Sequence, residues 1–470
     1  MNWGRAPTTL ATFIRPTNRL LPHKRDVPGR KVLERVSVSR LPLKVAVVGL
    51  GYVGVPVAAA LADAGDRVVG VDIDPAKVAA INRGKSPLTG KEPELPALLA
   101  KHGGKRLTAT TDYEACKTAD AVLVAVETPI DEDTHEPNYR ALRAVLRSLG
   151  PNLKRGALVS IESTVAPGTM HKLVKPMLER TSHLRTPRDF LLAHTPERLT
   201  AGKLMYNLAN LHRVVGADDP RSLRKAVRLY ERIIKAPIHP TDLLTAEIVK
   251  TAENTYWDVQ LALANELALV AEDYGVDAYE VRRLVNTCVR RDLLLPGAGV
   301  GGHCIPKDPW LLLHGLRSFI PSLIPMAREV NDFMPERMAT LTEEALRHSG
   351  RRLAGARIAI LGFAYKENTD DARNSPAIPL IRILRRRGAN VRIHDPYVRK
   401  ERGFLVQRKL PDVLKGADAV VLVTAHDAYR KADWRALARK MRRRVFVDGR
   451  CVWETPLRGW VYRGIGRGQF

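Results

Sequence analysis

The sequence predicts an α/β protein in which two regions of alternating strand and helix flank a long helical spine. Three observations carry this expectation. Short apolar runs alternate with helical periodicity from residue 44 to about 240, and again from 357 onward, the pattern of parallel sheets. Between these regions, residues 241–274 run without Gly or Pro. With 470 residues, 45% of them hydrophobic, the chain can build two or three domains, each with its own core.

The elements follow in order. Residues 1–43 hold nine Lys/Arg against two acids and show no sustained periodicity. A disordered basic tail is expected there, with a mis-assigned translation start as the alternative. Residues 44–49 read as a buried strand, 53–64 as a helix, 67–72 as a second strand and 75–82 as a further helix. Strands are expected over 121–126, 157–161, 190–194 and 212–216. The spine, 241–274, carries apolar residues at helical spacing through Leu243, Ile248, Val259, Leu263 and Leu267. At this length it would span about 50 Å. Helices are expected over 279–285, 309–316 and 321–342. Strands return at 357–362, 390–394, 419–423 and, as the last, 444–448, with a helix over 378–387.

Composition excludes several classes. No apolar run approaches the roughly 18 residues needed to cross a bilayer. Residues 1–21 are broken by Arg5, Arg15 and Arg19 and show no signal-peptide core. The four cysteines, Cys116, Cys288, Cys304 and Cys451, are scattered, so neither a zinc site nor a disulfide framework is indicated, and no metal is expected. A reducing cytoplasm fits best. The net charge of +26 admits three readings: polyanion binding, attraction of anionic small molecules, or arginine-rich solvated helix ends. Without basic runs interleaved with aromatics, neither nucleic-acid nor membrane binding is expected.

Two glycine signatures carry the chemistry. Gly49, Gly51 and Gly54 follow a strand and open a helix, allowing a tight turn, close approach of a pyrophosphate and helix–strand packing. Asp72 ends the second strand, 23 residues after Gly49, where an acid can hold adenosine ribose hydroxyls. This points to NAD over NADP. The second signature, Gly297-Ala-Gly299-Val-Gly301-Gly302-His303-Cys304, brings one thiol to the end of a pliable backbone. A buried, inert cysteine is the plainer reading; a dinucleotide fold in the same chain favours a reactive thiol, with His303 as a candidate to lower its pKa.

Other candidates lie at strand ends or on the spine. Thr128 and Thr164 follow buried strands, where open parallel sheets hold ligands; each can equally be a turn former. Glu197 could orient water or a proton and Arg198 could bind substrate, or the two could be surface charges. Lys250 and Asn254, four apart, share a helix face and could stabilise an oxyanion; a solvated lysine is the plainer reading. Asp308 completes the set. Lys366, Arg373 and Arg450, following late strands, could meet a diphosphate, or be surface cations.

Taken together, GLGYVG at 49–54, HTPER at 194–198, the Lys250–Asn254 helix, GGHCIPKD at 301–308 and GFAYKENTDDAR at 362–373 resemble the UDP-glucose/GDP-mannose dehydrogenase family. The similarity covers nearly everything from Lys44 onward. It implies a Rossmann NAD-binding domain at 44–238, a central dimerisation helix region at 239–345 and a Rossmann-like UDP-sugar domain at 346–470. It implies NAD as cofactor, a UDP-sugar substrate, a homodimer or homotetramer, and four-electron oxidation of the sugar C6 hydroxyl to a carboxylate.

By position, Cys304 matches the family's nucleophile, and Lys250, Asn254 and Asp308 its polar catalytic set. Asp308 or Glu197 would activate the hydrolytic water. Tyr52, Val53, Asp72, Lys77, Thr128, Thr164 and Arg373 match cofactor contacts. Arg198, Leu199, Tyr365, Lys366 and Arg450 match substrate contacts, with Gly301 in the loop beside them. GGHCIP looks like the N-acetylhexosamine branch. Arg290, 14 residues before Cys304, stands in a stretch resembling enzymes of UDP-N-acetyl-D-mannosamine, with UDP-N-acetylglucosamine and UDP-glucose as alternatives. Trp257 and Cys288 depart from the Arg and His that bacterial mannosamine enzymes tend to carry there.

Two rival classes compete with this reading. A two-electron hydroxyacid dehydrogenase of the 6-phosphogluconate type shares an NAD domain followed by helices, but needs no thiol and no third α/β domain. A basic nucleic-acid-binding protein would account for the charge, but no recognition module is visible.

Overall fold

The computed structural model describes residues 41–88, 92–200, 202–319, 321–399, 401 and 403–468. The basic extension expected over 1–43 lies outside these but for its last three residues. Residues 41–470 form one compact unit.

The first sheet has eight strands: β1 (Lys44–Val48), β2 (Arg67–Val71), β3 (Leu107–Thr110), β4 (Ala121–Val124), β5 (Leu158–Ile161), β6 (Leu191–His194), β7 (Arg213–Gly216) and β8 (Ile238–Thr241). Their spatial order is β3-β2-β1-β4-β5-β6-β7-β8. The strand order reverses between β1 and β4, so their C-terminal ends open the crevice where such sheets take ligands. Every pairing is parallel except β6 with β7, which is antiparallel at His194 and Gly216. Uniformly parallel pairing, expected from the alternation, fails there: the connection between the two strands holds one short helix (Leu204–Asn210), and β7 runs back along β6. β1, β4, β5 and β6 are buried on both faces, which explains their continuous apolar runs.

The second sheet has six strands: β9 (Arg357–Leu361), β10 (Asn390–His394), β11 (Val406–Gln407), β12 (Ala419–Leu422), β13 (Val445–Asp448) and β14 (Val461–Gly464). Their order is β11-β10-β9-β12-β13-β14, all parallel. This repeats the order of the first six strands, with its own reversal between β9 and β12. Strand 444–448, expected to be the last, is followed by β14, whose VYRG sequence alternates half-buried and buried residues.

The spine is a 31-residue helix, Leu243–Asp273. It begins two residues after the expected start, because Thr241 ends β8 and the Asp242 side chain caps the helix by accepting from Thr245 N–H. Its buried face also differs from the expected one. Ala246, Lys250, Thr251, Thr255, Asp258, Ala262, Asn265 and Ala268 are buried, whereas Ile248 and Leu263 are exposed. The packing partner is a second long helix, Leu323–His348. The two join through polar groups: Arg328 pairs with Asp258, Asn331 Nδ2 donates to Asp258 Oδ1 at 2.8 Å, and Asn265 Nδ2 donates to Asn331 Oδ1 at 2.8 Å. A buried polar network of this kind, which leaves Asp258 Oδ2 and Arg328 Nε without partners, favours one helix register. Among the described residues no helix is long and apolar enough to cross a membrane.

Candidate active site

The first glycine turn is shaped by sterics. Gly49 has φ +96°, and a Cβ there would stand 2.6 Å from the Ala125 carbonyl oxygen at the end of β4. At Gly54 a Cβ would collide with the Gly49 carbonyl. Gly51 faces open space, with nothing within 4 Å of an added Cβ. Val53 precedes the helix Gly54–Asp63 and offers no side-chain cap; Val55 N–H donates to the Gly51 carbonyl at 3.1 Å and Pro56 has no N–H, so an anion here would meet Gly54 N–H and the turn before it. Asp72 accepts from Leu50 N–H at 2.6 Å and Asp74 N–H at 2.9 Å, with Lys77 Nζ at 3.5 Å. The turn, the open approach at Gly51 and the carboxylate at the end of β2 fit the diphosphate and ribose of NAD. Thr128 is buried and donates to the Thr164 carbonyl at 2.6 Å, tying the ends of β4 and β5 together at the same edge.

The second glycine loop is built against the C-terminal sheet. A Cβ at Gly297 would collide with Arg450. One at Gly301 would meet Tyr365 Cβ at 2.6 Å, and one at Gly302 (φ +94°) the Tyr365 ring at 2.8 Å. The loop is glycine-rich because Tyr365 and Arg450 press on it. Hydrogen bonds hold it: Gly302 N–H donates to the Arg373 carbonyl at 2.9 Å, Asn374 Nδ2 to the Gly302 carbonyl at 3.1 Å, and Gly297 N–H to Asn265 Oδ1 at 2.9 Å. Arg450 donates to the Val423 and Gly299 carbonyls at 3.0 and 3.2 Å.

Cys304 ends this loop with its side chain open to solvent. Its carbonyl accepts from Asp308 N–H at 2.9 Å, the first residue of the short helix Asp308–Leu313. The crowded cleft floor around it raises the thiol pKa, as does the Asp308 carboxylate; Lys250, Lys307 and Arg373 pull it down. His303 does not supply the cation expected of it. Burial, together with Lys307 and Arg373, lowers its own pKa to about 4, leaving it neutral near pH 7.

Asp308 is fully buried. Asn254 Nδ2 donates to its Oδ2 at 2.5 Å, and Lys307 Nζ lies 2.7 Å from Oδ1. Lys250, one turn before Asn254, is 7% exposed, so the solvated-lysine reading fails. Among the described residues, no hydrogen bond or ion pair engages its ammonium. An unpartnered cation buried beside a thiol is costly and suits an oxygen that acquires charge.

The two sheets meet over this thiol. The Arg373 guanidinium lies 5.6 Å from the centre of the Tyr52 ring, while a bidentate pair with Asp371 (2.9 and 2.6 Å) fixes its plane. Burial raises the Tyr365 phenol to about 12, and Asp371, Cys304 and Tyr52 add to the shift while Arg373 opposes it. Burial lowers the Lys366 pKa, with Glu92 opposing and Lys203 reinforcing that shift. Val53 is half-buried before its helix, and Leu199 packs against the first sheet's core.

Other candidates are engaged elsewhere. Arg198 spans to Glu253 on the spine, its Nε donating at 3.0 Å. Glu197 accepts from Arg198 N–H at 2.7 Å and pairs with the buried Arg213 of β7. Arg290 is exposed in the turn after the helix Ala278–Val285, at φ +65°. Sequence reasoning gave no role to Lys307, Arg213, Glu253 or Glu162. Glu162, fully buried after β5, accepts from Tyr230 Oη at 2.6 Å, and burial raises its pKa to about 7. Only Lys307, inside the GGHCIPKD motif, offered a local signal; the others are brought in by tertiary contacts.

The class of protein these features define is a dinucleotide-dependent dehydrogenase with a thiol at its centre. Comparison with known proteins specifies it. The chain matches the UDP-glucose/GDP-mannose dehydrogenase family in its NAD binding domain over residues 43–234, its central domain over 244–333 and its UDP binding domain over 359–455. It is 40% identical over 428 residues to the UDP-N-acetyl-D-mannosamine dehydrogenase of Pyrococcus horikoshii, covering 91% of this chain and all of that protein. It is 36% identical over 422 residues to the NDP-N-acetyl-D-galactosaminuronic acid dehydrogenase of Ralstonia solanacearum, covering 87% of this chain and 96% of that protein. The solved structure of UDP-D-ManNAc dehydrogenase from Pyrococcus horikoshii superimposes with a TM-score of 0.86 at 39% identity, covering 90% of this chain and 99% of that one. The chain therefore belongs to the UDP-glucose/GDP-mannose dehydrogenase family and is an NAD-dependent UDP-sugar dehydrogenase.

Proposed function

We propose that this enzyme oxidises C6 of UDP-N-acetyl-D-mannosamine to the carboxylate, giving UDP-N-acetyl-D-mannosaminuronate through a thioester on Cys304. The observation that carries the reading is the buried, unpartnered Lys250 beside an exposed Cys304, with Asn254 anchored on Asp308. The mannosamine relatives and the GGHCIP loop support the choice of sugar. We assign residues 44–238 to the cofactor domain, 239–345 to the helical domain and 346–470 to the UDP-sugar domain.

NAD held at Gly49–Gly54, Asp72 and Lys77, with Tyr52, Val53, Thr128, Thr164 and Arg373 around it, supplies a hydride acceptor, used twice per sugar. Lys250 and Asn254 hold the C6 oxygen as it gains negative charge. After the first oxidation, Cys304 sulfur adds to the C6 aldehyde, forming a C–S bond whose carbon still carries one hydrogen. Loss of that hydrogen as hydride leaves a thioester. Water, deprotonated by Asp308 or Glu197, attacks the thioester carbon; the C–S bond breaks and Cys304 is restored. Arg198, Leu199, Arg290, Gly301, Tyr365, Lys366 and Arg450 bind the nucleotide sugar. The exposed spine residues Leu244, Ile248, Tyr256, Leu263 and Val270 lie within about 120° around the helix and support a homodimer through that stripe.

Incubating the pure enzyme with NAD and UDP-sugars of the manno, gluco and galacto N-acetyl series, with UDP-glucose alongside, tests the reading. UDP-N-acetyl-D-mannosamine is expected to turn over fastest, with two NADH per sugar, and Cys304→Ser to form no acid. One NADH per sugar, or acid formation by Cys304→Ser at the wild-type rate, would refute the thioester route. Faster turnover of another sugar would reassign the substrate.

A further inference from the structure

A cavity of about 530 Å³ opens at the N-terminal ends of β1, β2 and β3, the edge of the first sheet opposite Gly49–Gly54. Four cations line it: Lys44, Arg67, Lys105 and Arg106, with no acid among the lining residues. Register places three of them side by side. Lys44 pairs laterally with Arg67, and Arg106, one residue before the Val68–Leu107 pair, lies alongside Arg67. Side chains alternate along a strand, so Lys44 shares a face with Ala46, Arg67 with Val69 and Arg106 with Thr108. That face packs the turn at 113–118. Three cations thus stand in a row on strands about 4.8 Å apart, an arrangement that destabilises a sheet.

The nearby acids do not relieve it. Asp120 accepts from Lys44 N–H at 3.0 Å and pairs with Lys154 at 2.6 Å. Asp66 is taken by Arg232 and Leu43 N–H. Among the described residues, none of the four cationic side chains has an ion-pair partner. Behind the cations on the same face, Val69, Ala115 and Ala119 form a small apolar floor, with the hydroxyls of Thr108 and Thr118 at its margin, while Val45 and Val68 turn their side chains to the opposite core. The volume lies in the range of small-molecule sites. Cations over an apolar floor fit a ligand with phosphates at one end and a flat, weakly polar body at the other.

We propose that this cavity is a second nucleotide site, binding a nucleoside polyphosphate at the sheet edge remote from the dehydrogenase cleft. Phosphates bridge Lys44, Arg67 and Arg106 while the base lies on Val69, Ala115 and Ala119. The site does not depend on which sugar the enzyme oxidises.

ATP is the probe, titrated by calorimetry into the full chain saturated with NADH and UDP so that the dehydrogenase cleft is filled. One saturable site per chain is expected, with Kd below about 1 mM. The double variant Arg67→Gln/Arg106→Gln should bind at least about ten-fold more weakly, keep wild-type steady-state kinetics without ATP, and melt at a higher temperature in low salt. No saturable binding, equal affinity in the double variant, or a lowered melting temperature overturns the proposal. Tripolyphosphate should bind at least about ten-fold more weakly than ATP; equal affinity would overturn the nucleotide assignment.

Discussion

Replacing Gly301 by Ala tests whether the glycine loop positions the thiol. The added methyl would stand 2.6 Å from Tyr365 Cβ, 2.7 Å from the Asn374 carbonyl oxygen and 3.0 Å from Pro376 Cδ. Restoring carbon–carbon contact requires a parting of about 1 Å. The loop cannot move freely, because Gly302 is bonded on both sides, through its N–H to Arg373 and through its carbonyl to Asn374. Overpacking of this kind costs about 1–3 kcal/mol. Cys304 lies three residues on, and a displacement near 1 Å at reacting atoms costs about 100-fold in rate. Thermal unfolding and NADH production at saturating substrate are the measurements. The expected outcome is a lowered melting temperature, kcat down about 100-fold and a KM for NAD close to wild type. A variant that melts early yet keeps its kcat would show that the loop does not set the position of the thiol.

The remaining predictions are briefer. Gly51→Ala meets nothing within 4 Å, so stability should hold while the KM for NAD rises at least about ten-fold; an unchanged KM would place the diphosphate elsewhere. Glu162 has a folded pKa of about 7 against 4.5 as its ordinary value. A carboxyl that keeps its proton more tightly when folded stabilises fully below pH 4.5 and loses that contribution as pH climbs to about 7, a fall of about 3 kcal/mol. Glu162→Gln should flatten this part of the slope in urea unfolding from pH 4.5 to 7.5, Glu247 contributing the same sign in both proteins; parallel slopes would refute it. Leu263→Glu places a charge in the exposed spine stripe and should shift the sedimentation profile towards monomer. An unshifted profile would remove that stripe as the contact.

Much of the fold was legible because parallel strands buried on both faces leave uninterrupted apolar runs, as in β1, β4 and β12. The misses share a physical cause. β8 reads Ile-His-Pro-Thr, half-exposed at a sheet edge, and an edge strand needs no apolar run. The spine was recognised, but its orientation was misread. It packs on Leu323–His348 through alanines, asparagines and a buried ion pair, and hydrophobic periodicity cannot see a polar seam. Within the site, motif residues such as Cys304 and Asp308 were visible because loop chemistry is local. Arg213 and Glu253 were not, because their roles come only from the partners that folding brings to them.

The second sheet deserves the same physical question as the first. Its strand order repeats the reversal seen between β1 and β4, and Gly362 ends β9 as Gly49 ends β1. Gly362 has φ +86°, and a Cβ there would meet the Thr424 carbonyl oxygen at 2.6 Å, as one at Gly49 would meet that of Ala125. What the second copy lacks is the open glycine equivalent to Gly51: Ala364 stands there, fully buried, its N–H donating to Asp395 Oδ2 at 2.8 Å. The missing GxGxxG is therefore a change of use. The first sheet's glycine turn leaves room for a diphosphate, whereas the second closes the corresponding position with the buried Ala364 and presses Tyr365, the next residue, on the loop that carries Cys304. Arg373, reaching from the second turn to Tyr52 of the first, joins the two copies. A thiol placed between two such edges can face a cofactor on one side and a nucleotide sugar on the other, which a single Rossmann sheet could not provide.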